Sequence, residues 1–347
     1  MSSPTSAKGN EELKEVTADT LSNAPRVGTR SDEPGEAQVA HGVVRPGDRI
    51  FRMLSVGSSA LVTVFIIAIA AFLMLRAIPA ISRNQENFFT YSERWNLADT
   101  AAMHFGIPNL FLVTITVSIL ALILAMPVAL GIAIFLTTYA PKRLVKPLGY
   151  LVDLLAAVPS IVYGLWGFMA LGPALSGFYE ALAKNLSFIP LFQTYVNSPD
   201  FATGRNLFTG GIVLAIMILP VIAATTREVF VQTPRGHIEA ALALGATRWE
   251  MVRMAVLPFG KSGYISGSML GLGRALGETM ALYMVISTSD AFRGSLFDGG
   301  TTFATAIANA APEFNDNLKA GAYMSAGLVL FLLTFVVNSA ARMIAKK

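Results

Sequence analysis

The sequence predicts an all-α integral membrane protein that crosses a bilayer about six times. Three observations carry that expectation. The 347 residues are 54% apolar and only 14% charged, whereas soluble domains carry about 25% charged residues. Apolar stretches recur at close to the ~20 residues that span a hydrocarbon core as helix. Lysine and arginine are unevenly shared between the two sets of connecting loops, the asymmetry that marks a cytoplasmic side.

The elements follow in chain order. Residues 1–48 are rich in Ser, Thr, Glu, Lys, Gly and Pro and hold no long apolar run, so they read as a disordered cytoplasmic tail. They do not read as a secretory signal, because the first apolar stretch begins only near Leu54 and is too long for one. Residues 49–347 read as the membrane domain. Its expected spans are Leu54–Leu75, Leu110–Leu136, Leu148–Leu171, Gly210–Ala224, Tyr264–Ser287 and Ala322–Ala341. Asp153 and Pro159 interrupt the third, and Pro220 closes the short fourth; proline is tolerated where neighbours satisfy the freed carbonyls. Arg49, Arg52, Lys142, Arg143, Lys146, Arg227, Arg235 and Arg248 fall on the basic side, which is therefore cytoplasmic. An even number of spans then puts both termini there.

Several chemistries are excluded. With no cysteine and three scattered histidines, neither a disulfide framework nor a catalytic metal site is expected. Phe259-Gly-Lys-Ser262 ends like a phosphate-binding loop, but Ala255 replaces its first glycine and no strand precedes it. Gly271-x-Gly273 lies inside an expected span, out of context for a dinucleotide fold. No nucleophile elbow or zinc-protease motif is present, so no catalytic residue is assigned. Tyr163 and Trp166 read as packing residues, Trp95 as an interfacial anchor, and Asp153 as a partner of Lys146.

The loop between the fourth and fifth spans encodes a helix, a sharp turn and a second helix. Thr233 is the expected N-cap with Pro234 at the first helical position. Gly245 supplies a left-handed stop. Thr247 and Glu250 have the spacing of a capping box, and Pro258 opens the next span. Ala240, Ala241 and Ala243 keep the first helix narrow, so that another protein could approach closely. The pattern alone also fits an ordinary amphipathic helix at a membrane surface.

The fifth span carries Arg274 about 15 Å along the helix from Tyr264, near the middle of a core about 30 Å thick. An arginine there costs at least ~2.5–3.5 kcal/mol and must face protein or water. Glu278, four positions on and about 40° around the helix, shares its face. Gly263, Gly267, Gly271 and Ala275 form a ridge that permits close helix packing. A guanidinium presents a planar fork of donors suited to a tetrahedral oxyanion, with Glu278 balancing its charge. The alternative is an internal ion pair that only fixes helix position.

These segments also carry a resemblance. Glu239-Ala240-Ala241, then Gly245 and Leu257-Pro258, resembles the conserved cytoplasmic loop of ABC importer permeases, in which it is the coupling helix. Gly273-Arg-Ala-Leu-Gly-Glu-Thr-Met-Ala281 is similar to the permeases of the bacterial phosphate importer. Gly47-Asp-Arg-Ile-Phe-Arg52 and Ala157-Val-Pro-Ser-Ile-Val-Tyr-Gly-Leu-Trp-Gly167 look like the PstC-type family among them. The resemblance implies a type I ABC importer permease (MetI-like) fold, with its core at about 109–342. It implies Arg274 and Glu278 as translocation residues and Glu239, Ala240, Ala241 and Gly245 as the ATPase-coupling loop. It further implies a bacterial plasma (inner) membrane location, a PstA-like second permease, a PstB-like ATPase dimer and a PstS-like extracytoplasmic phosphate-binding protein. ATP and Mg would sit on the ATPase, with no cofactor on this chain and no nucleic-acid partner. Sulfate- and molybdate-type permeases have a related segment, but commonly with an aromatic residue where this chain has Thr279. An ATP-independent anion transporter is the alternative of a different class.

Overall fold

The computed structural model describes residues 46–193, 203–289 and 292–345. Most of the expected tail, 1–45, lies outside the described residues; its last three positions already belong to the first helix. The chain divides into two units, Met1–Ala60 and Leu61–Lys347. In the first, the described residues are the opening turns of that helix.

Helix α1 is Pro46–Ile81. Helix α2, Pro108–Ile134, runs on through a π turn to Tyr139. Helix α3 is Lys142–Ala157. Helices α4, Ser160–Trp166, and α5, Gly172–Asn185, are joined by a π turn into one continuous rod. Helix α6 is Leu207–Val231. Helices α7, Arg235–Ala243, and α8, Arg248–Met251, form the connecting loop. Through a further π turn α8 feeds α9, Leu257–Leu276, followed by α10, Met280–Val285. Helices α11, Phe303–Ala310, and α12, Asn317–Ala345, complete the order.

Five of these rods are long and apolar enough to cross a membrane: Gly47–Ile81, Pro108–Tyr139, Ser160–Asn185, Leu207–Val231 and Asn317–Met343. The chain is a multi-pass helical membrane protein. Two expected spans are redrawn. Leu148–Leu171 is not one helix. It breaks at Val158 and Pro159, where extended backbone separates α3 from α4, because the residue before proline is pushed out of the helical region. The Tyr163 hydroxyl bridges the break by donating to Leu155 O at 2.8 Å. The crossing rod is instead Ser160–Asn185.

Tyr264–Ser287 is also discontinuous. α9 stops at Leu276 with Gly277 as its C-cap, and Glu278 accepts from Ala281 N at 3.2 Å. A carboxylate that bonds a nearby backbone N–H competes with helix continuation. α9 and α10 follow one another across this break, and neither is among the helices long and apolar enough to cross a membrane.

α6 is the central helix. Its most apolar segment is 67% buried, against 6% in α1. α2 meets it through a face that repeats every four residues: Val113, Val117, Ala121, Ala125, Ala129 and Ala133 are all at most 1% exposed. Small residues on that face let the backbones close together, the packing mode available where lipid removes the hydrophobic drive between helices. α9 also packs along α6, and α10 against α4. At the end of the bundle near the α1 C-terminus, Thr114 Oγ1 accepts from Phe303 N at 3.1 Å, tying α11 to α2. Trp95 is packed within the loop between α1 and α2. Its Nε1–H donates to Gly106 O at 2.7 Å and its ring packs on Phe105 and Tyr323, so it forms part of the loop's own core.

Candidate functional site

Two regions hold the residues singled out from the sequence. The first is the α7–α8 loop. α7 begins at Arg235 with Pro234 as its N-cap and no side-chain cap. Thr233 does not cap it: its hydroxyl is buried without a hydrogen-bond partner among the described residues. Gly245 has φ +82°, a left-handed conformation that L side chains rarely adopt. Thr247 and Glu250 form the complete capping box, Thr247 N donating to Glu250 Oε2 at 2.8 Å. These bonds hold the Glu250 carboxyl below its ordinary value of 4.5.

Ala241 points inward rather than toward a partner. It is 8% exposed and packs in a cluster with Phe230, Met251, Val252 and Val256. The outward surface consists of Glu239, Ala240, Ala243 and Leu244, with Trp249 beyond the turn. Leu244 is 89% and Trp249 55% exposed, a pair of apolar side chains on either side of the Gly245 turn, in a loop that also exposes Arg235, Glu239, Arg248 and Glu250. The alanine pattern alone did not reveal this pair, because it stems from residues on either side of the Gly245 turn.

The second region is the end of α9. A Cβ placed on Gly263 would collide with Val229, one on Gly267 with Thr225, and one on Gly271 would lie 2.9 Å from Ile222 Cγ1. The glycine ridge thus lies directly on α6. Ile222 is the sixteenth of α6's 25 residues, so Arg274, one turn beyond Gly271, sits near mid-depth in the bundle. It is half-buried in the last turn of α9.

Arg274 and Glu278 do not form an ion pair. The helix that would have stacked them ends between them, and Glu278 is spent on the first turn of α10. No hydrogen bond or ion pair holds the Arg274 guanidinium among the described residues. Its neighbour Gly273 faces Asn338 of α12, whose Oδ1 would lie 3.2 Å from a Cβ placed there. Asp153 pairs with Arg227 of α6 at 3.9 Å, not with Lys146. Gly149 leaves room on α3 for that guanidinium. Among the described residues no cluster of three His, Cys, Asp or Glu is placed to hold a metal ion.

A guanidinium without an ionic partner among the described residues thus stands at mid-depth beside a helix break, and an exposed helix-turn-helix loop projects at one end of a multi-pass helical bundle. The chain matches the family described as "Binding-protein-dependent transport system inner membrane component" over residues 126–347, and it belongs to that family. Its relatives include "Phosphate transport system permease protein PstC 2" of Mycobacterium tuberculosis, 53% identical over 87% of this chain and 92% of the relative. The PstC protein of Mycobacterium leprae is 50% identical over 90% and 98%. That of Xylella fastidiosa (strain Temecula1) is 38% identical over 85% and 90%. The likeness to PstC-type permeases expected from two short motifs therefore extends along most of the chain.

Proposed function

We propose that this chain is the permease subunit through which inorganic phosphate moves into the bacterial cytoplasm, driven by ATP hydrolysis on a separate partner subunit. The observation that carries the reading is Arg274. A half-buried guanidinium without an ionic partner among the described residues is unfavourable in a membrane interior. An oxyanion passing beside it would remove that penalty through charge-assisted, bidentate hydrogen bonds. The phosphate-permease names of its relatives point to the same substrate.

Glu278 fixes the break that ends α9, and so sets where the guanidinium projects. In this reading the α7–α8 loop, both termini and the basic loops are cytoplasmic. Glu239, Ala240 and Gly245 belong to the surface that docks on a PstB-like ATPase dimer, while Ala241 anchors that surface to the bundle. A PstA-like permease completes the path, and a PstS-like binding protein delivers the anion from outside. ATP-driven closure moves the loop as a rigid unit and the spans alternate their access. Transport requires the anion to bind the outward-facing state better than the inward-facing one.

The test is Arg274→Gln in the assembled importer, followed by uptake of labelled phosphate. Uptake is abolished while the complex still assembles. Arg274→Lys keeps the charge but loses the planar fork and recovers only part of the rate. Near-normal uptake by Arg274→Gln overturns the assignment, and active transport without any associated ATPase overturns the energy source.

A further inference from the structure

On α9, Ser266, Leu270 and Arg274 recur every four residues and so share one face. The glycine ridge occupies a different face, against α6. Ser266 and Leu270 are exposed. Facing them is the lower part of α12, and between the two helices lies a cavity of about 660 Å³ lined by Ser266, Met269, Leu270, Asn338 and Arg342 among others. Its upper end adjoins Gly273, where Asn338 comes close, and Gly273 precedes Arg274. Arg342 lies four residues beyond Asn338, about 6 Å further along α12.

The wall of this cavity sets Ser266, Asn338 and Arg342 among the apolar Met269, Leu270, Ala341 and Met343. Asn338 and Arg342 are exposed, and neither has a hydrogen bond or ion pair among the described residues. Asn338 is also deep. Ala326, at 0% exposure, packs with Ile107 and Phe303 at the opposite end of the bundle, and Asn338 lies about 18 Å along the helix from it. An amide left unpaired in hydrocarbon is costly, whereas Arg342, in the last turn of α12, is close enough to the helix end to reach water. Water or a passing ion satisfies both side chains, and the cavity has room for a hydrated anion.

We propose that this α9–α12 groove is the release path for a phosphate oxyanion leaving Arg274, with Asn338 at its upper end and Arg342 as a second cationic station below. The proposal rests on Arg274 being the anion's contact at mid-depth. The same donors would suit the phosphate of an anionic lipid headgroup, and the test separates the two sources.

The chain contains no cysteine, so single cysteines report cleanly. Asn338→Cys and Leu270→Cys, with Val336→Cys on the other side of α12 and 60% exposed as control, are introduced into the assembled importer in inverted vesicles. They are then exposed to a charged, membrane-impermeant thiosulfonate. The groove cysteines are modified and the control is not, and free inorganic phosphate slows the modification. In uptake assays Arg342→Gln lowers the maximal rate about ten-fold, as expected for one lost charge-assisted contact, and Arg342→Lys restores most of it. Groove cysteines that stay unreactive in the assembled importer overturn the proposal, because lipid or a partner then covers the face. Protection by vesicles containing phosphatidylglycerol but not by free phosphate also overturns it, in favour of a headgroup site. Failure of the Arg274 reading shows separately, as undiminished uptake by Arg274→Gln.

Discussion

The sharpest packing prediction concerns Gly267→Ala. A Cβ at this position would overlap the Thr225 hydroxyl and lie 3.1 Å from Thr225 Cβ. Thr225 cannot simply turn away. Its hydroxyl bonds back to Val221 O at 2.9 Å and Ile222 O at 3.1 Å, so rotating it gives up a hydrogen bond of about 1 kcal/mol. The other escape is to move α9 off α6, with an overpacking cost of about 1–3 kcal/mol. Against this, replacing glycine by alanine inside a helix gains up to about 1 kcal/mol. The balance is a loss of up to roughly 2 kcal/mol, at most a few degrees in thermal midpoint. Gly131→Ala on α2 is the control, since a Cβ there meets nothing within 4 Å, and it leaves the midpoint unchanged or raised. The assay is thermal unfolding of the detergent-solubilised protein. Adding Thr225→Ala to Gly267→Ala removes the hydroxyl and recovers part of the loss. If Gly267→Ala matches Gly131→Ala and Thr225→Ala has no effect on it, the ridge is not a tight contact and the reasoning fails. Because the same helix carries Arg274, a displaced α9 also lowers phosphate uptake.

Three further predictions follow from the loop and the helix breaks. Gly245→Val places a β-branched residue at φ +82°, a cost of about 1–2 kcal/mol, so ATP hydrolysis and phosphate uptake become less tightly coupled; an unchanged ratio of the two rates contradicts the turn's role. The Glu250 carboxyl is held below 4.5 by Thr247. Its capping contribution is therefore complete above the unfolded value and disappears as pH falls through the lower folded value. Hydrogen exchange at Thr247 N, corrected for intrinsic rate, should stay protected from neutral pH down to about 5 and lose protection only in stronger acid; loss near neutrality would contradict the capping geometry. Tyr163→Phe deletes the bond across the α3–α4 break and costs about 1 kcal/mol, read as a lower thermal midpoint, and an unchanged midpoint would show that the bond contributes nothing to the break's stability.

What could be read from the sequence was local or periodic. The apolar stretches of α1, α2, α6 and α12 were visible because lipid demands long uncharged helices. The Gly245 turn and the Thr247–Glu250 box were visible because each is closed by residues within a few positions of one another. The glycine ridge could be seen as a pattern on α9, though its partner could not.

Tertiary structure decided the rest. Asp153 is paired by Arg227, a residue on another helix, and no spacing within α3 could announce it. Arg274 and Glu278 looked like neighbours only while α9 was taken as unbroken; the Glu278 bond to Ala281 N removes one of them from the other's reach. Ala241 turns inward because Phe230 and Val252 cover it from either side of the loop. The groove beside Asn338 and Arg342 exists only where α12 descends against α9. Sequence alone thus determined the apolar stretches of α1, α2, α6 and α12 and how the loop turns, because those depend on transfer free energy and short-range hydrogen bonds. Which charges remain unpaired, and what they face, depended on helices far apart in the chain being packed side by side.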